Sequence, residues 1–164
     1  MYTIEQIEDG IITELAPLKV GYTPVGEDDP AIWRTVREIK SYQGELDSPE
    51  DITRAVKLYP AIIVMYAGSE YEEHGSRKVE KMTYVLFVCD KSLRTEDDAR
   101  RGGSQNPGVY AMMNGARDLL YGSRLSKDIF PLELLRESAV WFGKGISIYS
   151  AEYETAQALL YVGD

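Results

Sequence analysis

Residues 60–89 read PAIIVMYAGSEYEEHGSRKVEKMTYVLFVC. The apolar run AIIVMYA, bounded by Pro60 and Gly68, has the length and β-branched content of a buried strand. Residues 79–89 alternate, with Val79, Lys81, Thr83, Val85, Phe87 and Cys89 on one side and Met82, Tyr84, Leu86 and Val88 on the other. A strand repeats every two residues, so this is a strand with two distinct faces. Between them, residues 68–78 are polar and hold Glu70, Glu72, Glu73 and the single histidine, His74. The two runs predict an antiparallel hairpin with a long polar tip.

The pattern continues on both sides of this hairpin. Upstream, Thr3 and Gln6 have the spacing of a capping box, and Ile4, Ile7, Ile11, Ile12 and Leu15 recur on one helical face. Gly10 weakens that helix by about 1 kcal/mol relative to Ala, and Pro17 ends it. Residues 21–30 are rich in breakers and read as a loop. Residues 31–46 allow a helical spacing of Ile32, Val36 and Ile39, but Trp33, Thr35, Val36, Ile39 and Tyr42 favour a strand by propensity. Ser48 and Pro49, followed by Glu50 and Asp51, predict a short helix start.

Downstream, KSLRTEDDARRGGSQN (91–106) carries four basic residues, Lys91, Arg94, Arg100 and Arg101, and three acidic ones, Glu96, Asp97 and Asp98. Its apolar content is Leu93 and Ala99, which predicts a long exposed loop with a contact role. Pro107 opens a helix with a stripe of Val109, Met112, Met113, Ala116, Leu119 and Leu120, and Gly122 suits its C-terminal end. Residues 132–141 and 146–155 read as two more strands around a turn at Gly143, Lys144 and Gly145, and residues 156–164 as a short tail. Helices that cover a sheet built largely from hairpins define an α+β domain, with a mostly antiparallel sheet of about four to five strands.

A length of 164 residues points to one domain over 1–164. The net charge of −9 opposes tight binding to nucleic-acid phosphates or to an anionic membrane surface. One cysteine allows no internal disulfide, and the N-terminus has neither the basic nor the apolar region of a signal peptide. The expectation is a soluble protein of a reducing compartment.

Catalytic constellations are weak. His74 has no second histidine to share a metal or a triad, and the acids beside it suit a solvated loop. Cys89 sits on an apolar strand and reads as a small buried hydrophobe. Asp29, Glu38 and Lys40 have the residue types of a Mg²⁺-dependent nuclease, in which carboxylates hold the ion and lysine orients water. Arg101-Gly102-Gly103-Ser104 lacks the phosphate-loop pattern and reads as a connector. Met112 and Met113 read as core. Twelve tyrosines against three Phe and two Trp lean toward an assembling protein, since tyrosine is enriched at interfaces.

Several segments taken in order carry a family resemblance: MYTIEQIEDGIITEL (1–15), SYQGELD (41–47), PAIIVMYAGSEYE (60–72), VLFVCDKSLR (85–94), ARRGG (99–103), PGVYAMMNGARDLLYG (107–122), RLSKDIFPLEL (124–134) and ISIYSAEYET (146–155). Together they resemble the Mu-like phage and prophage gene-37 product family, which is similar in fold to phage tail terminator proteins. The resemblance implies a virion subunit without catalytic residues, cofactor or metal. It would form a ring, a hexamer, that caps the tail tube and joins it to the head. Its partners would be other copies of itself, the tail tube protein and a head–tail connector protein, with DNA only passing through the ring and no membrane. It would be found in the host bacterial cytoplasm during assembly and then in the virion tail. A tail-completion or head–tail connector subunit is the alternative of the same class, and the Mg²⁺-dependent nuclease that of another. The expected contact residues are Tyr71, Glu72, Arg94, Arg100, Arg101 and Asn106.

Overall fold

The computed structural model describes residues 1–20, 35–44, 56–92, 94–103 and 107–160. Five strands form one sheet: β1 (Glu38–Ser41), β2 (Ala61–His74), β3 (Arg77–Lys91), β4 (Glu133–Gly143) and β5 (Ile146–Leu159). Their order is β1-β2-β3-β5-β4, with β1 parallel to β2 and every other pair antiparallel. Among the described residues three helices accompany them: α1 (Ile4–Glu14), α2 (Glu96–Arg101) and α3 (Val109–Leu120), with a 3₁₀ turn at Ala16–Lys19. The α+β reading therefore stands, as does the mostly antiparallel sheet.

The α1 start follows the capping box read in the sequence. The Gln6 N–H donates to Thr3 Oγ1 at 3.2 Å, and the Thr3 N–H donates to Gln6 Oε1 at 2.9 Å. Ile7, Ile11 and Leu15 then bury against the sheet. Gly10 has a packing reason that propensity does not reveal: a Cβ there would lie 3.3 Å from Leu125. α3 buries Val109, Met112, Met113, Ala116 and Leu120, as its stripe predicts, and Leu119 packs partly buried beside them.

Both helices cover one face of the sheet. That face contributes Ile39, Ile62, Val64, Tyr84, Leu86, Val88, Ala151 and Tyr153 to a continuous core. α1 lies against β1 and β2, and α3 against β3 and β5. The opposite face holds two smaller apolar clusters, around Cys89, Ile146 and Ile148 and around Val56, Ala61 and Ile63. Cys89 is fully buried, which fits its reading as a small hydrophobe.

Several expectations change. The hairpin has no long tip: β2 and β3 stay paired out to His74 and Arg77, leaving a two-residue turn at Gly75 and Ser76. Positive φ falls on Gly75 (63°), as a type II′ turn requires. Residues 68–78 lack alternation because both sides of this extension are largely exposed, so the polar composition hid a strand. Of the strand expected over 31–46, only Glu38–Ser41 forms among the described residues, and it pairs in parallel.

The loop expected over 91–106 is corrected as well. Lys91 completes β3, and Thr95 Oγ1 accepts the Asp98 N–H at 3.1 Å to start α2. Ala99 is fully buried, so this segment reaches the core. Residues 156–159 extend β5 instead of forming a tail. The turn between β4 and β5 places both Lys144 (φ 53°) and Gly145 (φ 75°) in the left-handed region, the pattern of a type I′ hairpin. The loop expected over 21–30 and the helix start at Ser48 and Pro49 lie outside the described residues.

Candidate interaction surfaces

Two ends of the sheet carry the residues singled out in the sequence. At the β2–β3 turn, Tyr71 is exposed with Lys78 Nζ 5.4 Å from its ring centre, and its hydroxyl donates to Glu80 Oε1 at 3.3 Å. Glu72 points to the other face, 2.7 Å from Lys81 Nζ and 3.4 Å from His74 Nε2. The hydrogen bond from Lys81 holds the Glu72 carboxyl below the usual glutamate range and raises Lys81 in turn. Beside them, a groove of about 590 Å³ runs over Val79, Phe130, Pro131, Ala156 and Ala158, with Lys81 and Glu154 on its rim.

Arg94, Arg100 and Arg101 lie at the other end of β3, about 40 Å away at roughly 3.3 Å per strand residue. Arg100 is held by Asp97 at 2.7 Å, a contact that raises its pKa. Arg94 and Arg101 are exposed, and Arg94 and Lys144 line one shallow depression with Thr95 and Glu96. Asn106 lies outside the described residues. The six expected contact residues therefore do not form one surface.

This end is built by a close approach of two helices. Asp90 is fully buried, and its Oδ2 accepts the Gly108 N–H at 2.8 Å while Oδ1 accepts the Lys91 N–H at 2.7 Å. A carboxylate thus caps α3 from the end of a strand, where the helix N-terminus favours negative charge. Gly108 has φ 80°, and a Cβ there would collide with the backbone of Arg101 and Gly102.

Next to it lies an aromatic group that sequence reading missed. The Tyr110 and Tyr149 hydroxyls are 3.2 Å apart, their rings meet edge-on at 5.5 Å, and Phe142 meets Tyr149 at the same distance. Burial raises the Tyr149 pKa first, and the Tyr110 hydrogen bond adds to it. Phe142 belongs to β4, the last strand in the sheet order, which also exposes Leu135 and Val140. Arg117 of α3 fixes this strand from behind by two 2.7 Å bonds to the Glu137 carboxylate. The apolar run AVWF (139–142) was the available signal, but a core strand gives the same signal.

The residues considered for catalysis remain apart or engaged. Lys40 Nζ is 3.3 Å from Glu38 on the same strand, and Asp29 lies outside the described residues. Among the described residues no group of three or more His, Cys, Asp and Glu side chains comes together to hold a metal. Nor is any described helix long and apolar enough to cross a membrane.

Residues 3–158 match the protein family described as "Bacteriophage Mu, Gp37". The chain belongs to this family. No curated protein matches it. Among solved structures, a chain described as "Virion of native gene transfer agent (GTA) particle" aligns at a TM-score of 0.53 and 13% identity. The alignment covers 97% of this chain and 100% of that one, and at this identity the likeness concerns the fold alone. The Gp37-family match takes in every described strand and helix except the last strand residue, Leu159. The exposed β4 edge and the α2 corner are thus parts of the family domain.

Proposed function

We propose that this chain is a structural protein of a phage particle, and more specifically the tail terminator, a ring that ends the tail tube and joins it to the head. The observation that carries this reading is membership of the phage Mu Gp37 family over 3–158. The fold it shares with a gene-transfer-agent virion chain supports a place in a particle. In this reading the partners are further copies of the chain in a hexameric ring, the tail tube protein and a head–tail connector. The chain assembles in the host cytoplasm, binds no cofactor and carries no enzymatic activity. A DNA-cleavage assay with Mg²⁺ checks the last point, and cutting abolished by Glu38→Ala would establish the nuclease instead.

The test uses purified chain and tail tubes of a matching phage. Rings at one end of the tubes in negative-stain images, with tube length fixed once they bind, are the expected result. A chain that leaves tubes bare and growing overturns the terminator role. A chain that instead co-purifies with connector rings and ignores tubes is a connector subunit.

A further inference from the structure

Three exposed large apolar residues share the edge strand β4. Leu135, Val140 and Phe142 are 49%, 44% and 42% exposed on one edge strand, and Tyr110 of α3 stands beside them. An edge strand with free backbone groups is a site for pairing with another chain. Here the ladder is interrupted twice, because register shifts set Leu135 and Val140 out as bulge residues. Bulges re-aim side chains and interrupt pairing, so this edge offers side chains and not a long strand template. The Tyr110–Tyr149–Phe142 contacts hold its aromatic end in place before any partner arrives. Rigid aromatic anchors of this kind dominate interface energetics.

Charge distinguishes this edge from the opposite one. Arg94, Arg101 and Lys144 are exposed at the Phe142 end of β4, and none has an ion-pair partner among the described residues. Toward the other edge of the same face, α1 packs against β1 and β2 and has no basic residue. It carries Glu5, Glu8, Asp9 and Glu14. Glu8 accepts the Ser41 hydroxyl and Glu14 that of Ser123. Glu5 and Asp9, one helical turn apart, stay exposed next to exposed Ile4 and form no ion pair among the described residues, although Lys127 lines the same depression as Asp9. One edge thus has an apolar strand and a corner where Lys91, Arg94, Arg100, Arg101 and Lys144 outnumber Glu96, Asp97 and Asp98, while the helix at the other edge carries only acidic charges. Such surfaces complement each other between copies, not within one. A contact between two different surfaces is heterologous and closes into a ring when its rotation permits.

We propose that the β4 edge is a self-association surface whose occupant is the α1 side of a second copy. Leu135, Val140 and Phe142 dock against that helix, and Arg94, Arg101 and Lys144 face its Glu5 and Asp9. This inference rests on the ring reading above and names the surfaces that build it.

The test is sedimentation velocity and mass photometry of the full chain, free and with tail tubes. Val140→Asp with Phe142→Asp is expected to weaken association at least tenfold while the thermal melt stays that of the wild type. Tyr71→Asp, an exposed aromatic at the distant hairpin turn, is expected to associate normally. Glu5→Lys with Asp9→Lys is expected to weaken association as well, and adding Arg94→Glu and Arg101→Glu in the same chain is expected to restore it. A wild-type ring that survives the β4 substitutions overturns this inference and leaves the terminator reading standing. Failure of the charge exchange to restore association overturns the choice of α1 as occupant. A wild-type chain that stays monomeric both free and on tubes overturns this inference and the ring together.

Discussion

Tyrosine was the residue type that leaned toward an interface, yet two of its largest contributions are internal. Tyr84 and Tyr153 are fully buried in the sheet core, and they differ in one atom's surroundings. The Tyr84 hydroxyl donates to the Ile4 carbonyl at 3.0 Å and so ties β3 to the first turn of α1. The Tyr153 hydroxyl finds no hydrogen-bond partner among the described residues. Removing a made hydrogen bond costs about 1 kcal/mol, whereas removing an unpaired buried hydroxyl costs little or stabilises. Denaturant unfolding is therefore expected to show Tyr84→Phe destabilised by about 1 kcal/mol and Tyr153→Phe close to wild type. Equal losses at the two positions would refute the contrast. Burial also raises both pKa values above the ordinary 10.0. A raised value means the folded state favours the neutral phenol. Its stabilising effect is complete below pH 10 and is lost as pH rises toward the folded-state values. In an alkaline titration, tyrosinate absorbance from these two rings is expected only together with loss of the sheet's circular dichroism. Ionisation of all twelve tyrosines ahead of unfolding would contradict the burial.

At the scale of elements, α3 depends on a group that lies outside it. Its N-cap is Gly108, which has no side chain to offer, and the buried Asp90 carboxylate does the capping from the end of β3. Asp90→Ala leaves the Gly108 and Lys91 N–H groups without that acceptor, each worth about 1–3 kcal/mol when buried. The expected result is a loss of about 2–4 kcal/mol in denaturant unfolding, with Asp90→Asn losing less. Gly108→Ala is expected to destabilise as well, since its φ of 80° and the nearby Gly102 backbone both oppose a Cβ. The long strands and the two long helices were legible from a period of two or near four set by one buried face, or, for β2, from the apolar run Ala61–Val64 that is buried on both faces. What was not legible has physical reasons. The outer hairpin has no buried face to impose alternation. α2 is too short to show a period, although Thr95, the acids at 96–98, the bases at 100–101 and Gly102 together spell a cap, a dipole-matched helix and a stop. The candidate surface was hidden for a different reason. The hairpin β4–β5 can be read locally, but β4 is an edge only because β5 pairs with β3, and no local pattern records that long-range choice. An apolar run on an edge strand therefore carries the same local pattern as one in the core.

At the scale of the whole molecule, the described sheet and the helices on one of its faces give a continuous core from α1 to β5. If 1–164 is one domain, thermal unfolding is expected to be a single cooperative transition seen alike by far-UV and near-UV circular dichroism. Two separated transitions would divide the chain. Self-association then draws on two terms that respond differently to solvent. Docking of Leu135, Val140 and Phe142 removes apolar surface from water, which salt does not screen. Attraction between the Arg94, Arg101 and Lys144 corner and the Glu5 and Asp9 face acts before contact and over a distance set by ionic strength. The Debye length falls from about 10 Å at 0.1 M to about 3 Å at 1 M. Charges at an exposed rim govern encounter more than residence, so the association rate is the quantity that responds. Stopped-flow mixing is therefore expected to show association slowing several-fold between low and high salt, with the dissociation rate nearly constant. The charge-exchanged chain is expected to slow with salt as well, though less steeply, because it restores opposite signs across the contact except at Lys144. The singly inverted chain, Glu5→Lys with Asp9→Lys, places like charges together, so its association is expected to speed up with salt. Association rates that ignore salt in all three chains would mean that the apolar edge meets something other than the acidic helix.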